Sequence, residues 1–480
     1  MATSRTCEAS RGSAVLYQNA DRSVTLIDIP TSIALAQGRS ETLLSSEPLE
    51  APIPLNYEPT TNKSKVGEPK HLTSVALHAE YKAIVERALR ELHSHVSGPW
   101  CRSRKVKAQL PKRGKTNMDI DDPEQELEQR LREWAALDQS KGDDTAFDFQ
   151  KMMASLGAVS EPNATTPETL THKWLMSYRP ARDMTSDARR AGFSLPNEPE
   201  LGGSEEPWTS AFHNPEKRAL DLSVFENTTA SNQQDASSSY RFTIPPRASF
   251  FLSDSTHSET FRTSFRELTG EHTLPRHFDL VLLDPPWPNR SAKRSRGYEQ
   301  IGGMPHIKRM LLKMDIDNYL EHNALVGVWI TNKDALRDHV IGPGGLFEKW
   351  NLGLIEEWIW VKTTTHGEPM FDIDSLTRKP YEVLLLGRAA PNSWTTMGPA
   401  PVVKKRVIAA VPDIHSRKPC LKELIEPYMP DKGDYSALEV FSRYLVKGWM
   451  SWGNEVLKYN HEQYWVPLEE QPPANSPTSM

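Results

Sequence analysis

A doubly wound α/β sheet in the second half of the chain, preceded by a mostly helical and partly disordered N-terminal region, is the fold that this sequence predicts. Three observations carry it. From residue 241 onward, short apolar runs alternate with amphipathic stretches, the pattern of strands joined by helices. One of those runs, Phe278-Asp-Leu-Val-Leu-Leu283, is almost unbroken, as in a parallel strand covered on both faces. Residues 196–240, rich in Ser, Glu, Pro and Asn, have the composition of a linker and set this half apart from what precedes it.

Taken in order, residues 1–70 are expected to be a flexible N-terminal region. It holds one hairpin, Ala14–Tyr17 with Val24–Ile29 around Gln18-Asn-Ala-Asp21, and then a Ser/Thr/Pro-rich stretch. Residues 71–195 read as a helical domain. Tyr81, Ile84, Val85, Ala88, Leu89, Leu92 and Val96 recur at three and four residues until Gly98-Pro99 stops them. A second stripe, Leu127, Leu131, Trp134 and Leu137, follows Asp122-Pro123. Such stripes are packing faces rather than cofactor sites. The basic runs Arg102–Lys107 and Lys112–Lys115 between them read first as a solvated loop and second as a phosphate contact. After the linker at 196–240, the catalytic domain is placed at 241–468 and a flexible tail at 469–480. Its strands are expected at Ser249–Leu252, Phe278–Leu283, Leu325–Ile330, Ile355–Val361, Tyr381–Leu386, Val407–Val411 and Ala437–Phe441. Helices are expected at Ile307–Met314, Asp334–Val340 and Leu421–Tyr428.

Composition narrows the classes. With 480 residues, 38% hydrophobic content, 37 prolines and a mean hydropathy of −0.58, one good core is the safe expectation. A net charge of −6 argues against a globally basic nucleic-acid binder, so any hold on phosphate must come from local patches. The three cysteines, Cys7, Cys101 and Cys420, form no CxxC or Cys/His pattern; this points to a reducing compartment and to no metal site. No apolar signal core opens the chain and no run of 18 or more apolar residues could span a bilayer, so a soluble intracellular protein is expected. The absence of a GxGxxG motif speaks against a dinucleotide-dependent dehydrogenase.

The chemistry is expected where Phe278–Leu283 ends in Asp284-Pro285-Pro286-Trp287. Open α/β sheets bind ligands at the carboxyl ends of their strands. Two prolines fix φ and remove two donors, so Asp284 and the Pro285 carbonyl present acceptors from a rigid frame, with Trp287 as a flat face beside them. Two acceptors and a stacking surface suit a planar base with an exocyclic amino group, such as adenine. That amine is a poor nucleophile until both N–H bonds are held so that its lone pair faces an electrophile. The bland alternative is an Asp-Pro-Pro turn with a core tryptophan. Beyond the corner, Asn289, Arg290, Lys293, Arg294 and Arg296 make a basic loop that suits phosphates flanking a target base. Lys362, before Thr363-Thr-Thr-His-Gly367, and Arg378-Lys379 are placed to close over the nucleotide. His366 gets no role, because a neutral amine needs no base for attack.

This corner, together with Phe242-Thr-Ile-Pro-Pro-Arg-Ala-Ser-Phe-Phe-Leu-Ser-Asp254, Trp358-Ile-Trp-Val-Lys362, Lys379-Pro-Tyr-Glu-Val-Leu-Leu-Leu-Gly-Arg388, Ile414-His-Ser-Arg-Lys-Pro419 and Gly448-Trp-Met-Ser-Trp-Gly-Asn-Glu-Val-Leu-Lys458, resembles the MT-A70 family of adenine-N6 methyltransferases. The long closing motif points within it to the methyltransferase-like protein 4 branch, and the likeness covers about half the chain. The resemblance implies a Rossmann-like sheet of permuted order, in which a strand that comes after the Asp-Pro-Pro-Trp strand in sequence lies beside the cofactor. It implies S-adenosyl-L-methionine as methyl donor, and Asp284, Pro285, Pro286 and Trp287 as catalytic residues. Asp254 is carried to the donor's adenine, Glu439, Arg443, Asn454 and Glu455 to its ribose neighbourhood, and Lys418 to its carboxylate. The mRNA-methylating members have a histidine and an asparagine soon after the arginine, where this chain has Tyr444-Leu-Val-Lys447. The ribose contacts are therefore the least anchored part of the carry-over, and Trp449 and Trp452 read as core as readily as ligand walls.

The expectation is thus methylation of adenine N6 in a nucleic acid. Small nuclear RNA with an already 2′-O-methylated adenosine comes first and DNA second, in a nuclear and also cytoplasmic monomer without membrane or metal, with a partner protein as an open alternative. A catalytically silent RNA-binding scaffold of the same family is the rival from another class. Transfer to cytosine N4 or a glutamine amide is the rival among enzymes.

Overall fold

The computed structural model describes residues 12–54, 74–106, 174–180, 210–226, 239–253, 255, 258–287, 304–375, 379–389, 402–414 and 417–466. Their strands are β1 (Val15–Gln18), β2 (Val24–Ile27), β3 (Thr42–Leu43), β4 (Trp174–Pro180), β5 (Ser210–His213), β6 (Leu220–Glu226), β7 (Ser239–Ile244), β8 (Ser249–Leu252), β9 (Phe278–Leu283), β10 (Leu320–Ile330), β11 (Leu352–Lys362), β12 (Tyr381–Ala389), β13 (Lys404–Ala410), β14 (Ala437–Val440), β15 (Met450–Gly453) and β16 (Trp465–Val466). Their helices are α1 (Ile29–Gln37), α2 (Val75–His95), α3 (Ser258–His272), α4 (Met304–Lys313), α5 (Asp334–Ile341), α6 (Leu346–Lys349) and α7 (Lys422–Ile425).

Eleven strands form one sheet in the order β1-β2-β13-β11-β12-β10-β9-β14-β15-β8-β5. From β10 through β9, β14 and β15 to β8 all neighbours are parallel, while β12 runs antiparallel between β10 and β11. The strand that follows β9 in space, β14, comes more than 150 residues later in sequence, the permuted order expected. Both faces of β9 are covered: Val281 and Leu283 join the core with Phe261, Phe265 and Ile307 on one side, Leu280 and Leu282 that with Leu424 and Ile425 on the other. This double burial is the reason for its unbroken apolar run. The expected strands and helices recur with ends shifted by a few residues, most at β10, which starts at Leu320, and at the third expected helix, where α7 passes into the 3₁₀ turn Glu426–Tyr428. Helix α3 and strand β15 are among the elements without an expectation. Helix α3 packs Phe261 and Phe265 against Phe251 and Tyr319, and β15 extends the parallel run by one strand.

The expected domain boundaries are crossed by pairing. The hairpin of residues 15–27 is present, but not in a flexible region apart: β2 pairs in parallel with β13, Val24 opposite Val407 and Leu26 opposite Ala409. Helix α1 follows at once, capped by the Asp28 carboxylate on the Thr31 N–H at 3.1 Å and closed by Gly38 at φ 71°. Within the expected linker, β5 pairs with β8, and β6 and β7 form a three-stranded sheet with β4. Helix α2 has the predicted stripe, with Tyr81, Val85, Ala88, Leu89 and Leu92 buried, but the stripe lies on the central sheet rather than in a separate helical domain. Four-residue strands declare only that they are apolar, and their partner is a tertiary fact. The second helical stripe after Asp122-Pro123 lies outside the described residues, as does most of the basic run beyond Val106.

Polar contacts lock α2 in place. Tyr81 Oη donates to Glu357 Oε2 at 2.7 Å and accepts from Arg337 Nη1 at 3.0 Å, Arg337 pairs directly with Glu357, and Lys405 pairs with Glu80. Glu357 is buried, so leaving it without these donors would be costly. Tyr81→Phe should therefore lower stability by about 1–3 kcal/mol, since it removes one donor from a buried carboxylate while keeping the ring. Urea unfolding of the full chain measures it, and an unchanged midpoint would detach α2 from the catalytic fold.

Candidate active site

At the end of β9 the chain enters Asp284 directly beside β14, where Val440 stands opposite Leu283 and Glu439 opposite Leu282. The Asp284 N–H donates to the Val440 carbonyl at 3.3 Å, which holds the corner to the neighbouring strand. The Pro285 carbonyl, expected to face a ligand with both lone pairs, accepts the Trp287 N–H at 2.8 Å in a tight turn and so retains one. Trp287 is also more enclosed than a stacking platform should be: it is 9% exposed, and its indole N–H donates to the Trp329 carbonyl at 2.6 Å. A buried indole needs an acceptor, and that requirement fixes the ring.

The charge of Asp284 is not left alone. Lys418 Nζ lies 2.9 Å from both Oδ1 and Oδ2 of Asp284 and 3.3 Å from Glu382 Oε2. Glu382 Oε1 in turn receives Lys362 Nζ at 2.7 Å. The four side chains come from the ends of β9, β11 and β12 and from the loop after β13 and alternate in sign, so each half-buried charge touches its opposite. Burial by itself would raise the Glu382 carboxyl, but the Lys362 and Lys418 ammoniums outweigh it and hold it at about 2. Burial likewise opposes the charge of Lys418, and Asp284 and Glu382 more than compensate, raising it above the ordinary lysine value. Lys362, proposed for substrate, is committed to Glu382, and Lys418, carried to the donor's carboxylate, grips Asp284. Both follow from the cost of burying an ammonium without a partner.

The other wall of the cleft is the end of β14. Glu439 receives Ser442 Oγ at 3.2 Å, and burial, aided by the nearby Asp284 charge, raises its carboxyl to about 7. Phe441 follows at φ 62°, a left-handed conformation costly for an aromatic residue and characteristic of functional corners. Gly453, at the end of β15, makes this approach feasible, since a Cβ there would come within 3.2 Å of Phe441 Cα. Arg443 Nε pairs with Glu455 Oε2 at 3.0 Å, and Glu455 Oε1 with Lys458 Nζ at 2.9 Å. Arg443 and Glu455, carried to the donor's ribose, thus first tie the end of β14 to that of β15. Asn454 sits in the turn just after β15, half-buried. Leu282, Asp284, Trp329, Arg417, Lys418, Glu439, Ser442 and Arg443 line a single cleft of about 40 Å³.

The structure therefore brings Asp284, Lys418, Glu439 and Arg443 to one cleft, with Lys362, Glu455 and Asn454 in the adjoining strand ends. Asp254, Asn289, Arg290, Lys293 and Arg294 lie outside the described residues, as does Arg378. Sequence reasoning missed Glu382, whose signal was a lone acid inside the apolar strand Tyr381-Glu-Val-Leu-Leu-Leu386. It also missed Trp329, which holds Trp287 and lies beneath Lys418 at 5.4 Å, and the left-handed Phe441, which no single residue type announces.

These groups fit S-adenosylmethionine in chemistry. Arg417 is fully buried in the cleft wall with Nε and Nη2 lacking an acceptor among the described residues, a place for an anion. Glu439 and Asn454 offer acceptors at the strand ends, of a kind that would suit a ribose diol. The cleft as it stands has room for a carboxylate or a water, not for a nucleoside.

Comparison with known proteins finds a likeness to one family over the part of the chain that carries this cleft. A family model described as MT-A70 matches residues 278–455. The chain is 41% identical over 222 residues to an N6-methyladenosine RNA methyltransferase MTA1 of Cryphonectria parasitica, covering 46% of this chain and 62% of that one. It is 33% identical over 256 residues to the human N(6)-adenine-specific methyltransferase METTL4, covering 52% and 50%. It is 31% identical over 217 residues to a DNA N6-methyl methyltransferase of Caenorhabditis elegans, covering 45% and 53%. The chain thus spans between about half and three fifths of the length of these curated relatives.

Glu439 gives the site a pH signature. Its carboxyl stands near 7 against an ordinary 4.5, so the folded chain binds this proton more tightly than the unfolded one. The stabilisation is complete below the ordinary value and is lost as pH rises through about 7. Glu439→Gln, which keeps the neutral form, should match the wild type near pH 4.5 and exceed it by about 2 kcal/mol above pH 8. Thermal melts across that range measure the difference, and parallel melting curves at all pH values would place Glu439 in an ordinary solvated setting.

Proposed function

We propose, from the match of residues 278–455 to the MT-A70 family model, that the chain is a methyltransferase acting on N6 of adenine in a nucleic acid, with RNA ahead of DNA. The observation that carries the reading is the corner itself: a carboxylate at the end of a doubly buried strand, held by a lysine, beside a carbonyl with one free lone pair. Asp284 and the Pro285 carbonyl each accept one N–H of the exocyclic amine, which aims the nitrogen lone pair away from the corner and towards the methyl group. A carboxylate has about four acceptor sites, so Asp284 can keep Lys418 and still take the amine. Lys418 and Glu382 fix the carboxylate, so that positioning rather than proton removal is the protein's contribution. When bound, S-adenosylmethionine supplies an electrophilic methyl group on a sulfonium. The amine loses its proton after transfer, when methylation has made it acidic.

The choice of RNA rests on two supports. The fungal relative at 41% identity is named for RNA, and the sequence resemblance to the methyltransferase-like protein 4 branch favours small nuclear RNA with a 2′-O-methylated adenosine, in the nucleus. The nematode relative named for DNA keeps DNA as the second substrate to test.

The test is incubation of the full chain with labelled donor and separate RNA and DNA pools, followed by nucleoside mass spectrometry. Label in N6-methyladenosine from RNA is the expected outcome, and label in neither pool would remove the reading. Asp284→Asn, which keeps the shape and loses the charge, should reduce kcat by about 100- to 1,000-fold with little change in donor affinity. Trp287→Ala should cost stability as well as activity, because the ring is buried and anchored at Trp329.

A further inference from the structure

We infer that the cleft between α4 and α5 holds the phosphates of the nucleic-acid strand beside the target adenine, a contact separate from the reacting corner. The inference rests on the nucleic-acid reading of the corner and gives that substrate a further hold. The cleft has a volume of about 530 Å³. Pro305 and Leu312 of α4 supply an apolar part of its lining, and Lys308, Arg309 and Lys313 of the same helix stand around them with His339 of α5. Around Asp284 the cations meet acids: Lys362 and Lys418 meet Glu382 and Asp284, and Arg443 and Lys458 meet Glu455. In the α4–α5 cleft they do not. The side chains of Arg309, Lys313 and His339 have no partner among the described residues, and Lys308 donates to a neutral acceptor, the Gly344 carbonyl at 2.7 Å. Asp315, the acid in the lining, is taken by Arg262 of α3.

Like charges four residues apart on a helix, as Arg309 and Lys313 are, repel each other, and a polyanion relieves that repulsion. A single strand fits both features of the cleft, with phosphates on the cations and a base over Pro305 and Leu312, and the volume suits a nucleotide. The cleft also lies close to the corner. Helix α4 packs Ile307, Met310 and Leu311 into the same core as Leu283 and Trp287. Helix α5 begins at Asp334, just past the carboxyl end of β10, the strand paired in parallel with β9. His339 is in its second turn, about 7.5 Å along the axis from Asp334. A strand with its adenine at Asp284 can therefore lay a neighbouring nucleotide across α4. An acidic protein segment would match the charges too, but the proposed reaction already brings a polyanion to this edge of the sheet, and in a chain of net charge −6 the hold on it must be local.

The experiment measures binding of a single-stranded RNA with one central adenosine to the full chain, by fluorescence anisotropy over a range of salt concentrations. Arg309→Gln with Lys313→Gln removes two exposed charges that hold nothing in the fold, and Arg309→Lys with Lys313→Arg keeps them as the control. At about 0.7 per lost phosphate contact, the neutral pair should flatten the log–log salt slope by about 1.4 and weaken binding about 25-fold at about 0.1 M salt. The control pair should keep both values, and affinity for S-adenosylmethionine, measured by calorimetry, should stay the same in all three proteins. A wild-type slope in the neutral pair overturns the inference, and an acidic protein segment then becomes the occupant to seek. Weaker binding at an unchanged slope overturns it as well, because the two residues would then act through the fold. A flattened slope in the neutral pair, together with a wild type that methylates neither RNA nor DNA, upholds the cleft and overturns the methyltransferase reading beneath it.

Discussion

The ammonium of Lys418, held between Asp284 and Glu382, is the contact on which the rest of the corner depends. A half-buried carboxylate at the end of a strand covered on both faces is costly to leave unpaired, and a cation at contact distance offsets that cost. Lys418 supplies that cation, Glu382 keeps Lys418 from following solvent, and Lys362 balances Glu382. Each member exists for the next, so four separate chain segments must arrive in register before the corner is stable. The backbone helps: Arg417, one residue earlier, is pinned by Asp413, so the loop bearing Lys418 is fixed at its base.

Such a network is weak evidence for overall stability, since buried pairs often break even against apolar replacements. Its use is orientation. An acceptor amine gains from a carboxylate that does not rotate, and the alternating charges fix the rotamer of Asp284 at the cost of loop ordering. The same logic runs through the opposite wall, where Arg443, Glu455 and Lys458 join the ends of β14 and β15. Gly453 permits the close approach, and Phe441 accepts a left-handed backbone in return. Glu439 stands between the two networks with no ion pair among the described residues, and burial raises its carboxyl to about 7, while Lys362 and Lys418 bring that of Glu382 to about 2.

The N-terminal segments belong to this architecture rather than standing beside it. Leu44 supplies a carbonyl to Arg417, Arg104 contributes to the field on Asp413, and β2 extends the sheet on the side of β13. Helix α2 and Trp100 reach the loop of residues 363–367: the Trp100 N–H donates to the Thr365 carbonyl at 2.9 Å, and Gly367, at φ 86°, has no room for a Cβ against the Trp100 ring. The turn after β11 is thus shaped by residues almost 300 positions away in sequence.

What the sequence determined by itself was local and chemical. The apolar run of β9 with its Pro-Pro stop, the alternation of strands and helices after residue 241 and the stripe of α2 are legible because strand burial and helix periodicity are written in adjacent residues. The family resemblance and the candidate corner follow from such short motifs. Tertiary structure alone decided the partners. That β2 joins β13, that Lys362 is spent on Glu382, that Lys418 holds Asp284 and that the Pro285 carbonyl has only one lone pair to offer are consequences of which buried charge or donor meets which. A sequence states that a lysine is present. Only the fold states what its ammonium must neutralise once water is excluded, because the cost of desolvation is set by neighbours brought together across more than a hundred residues.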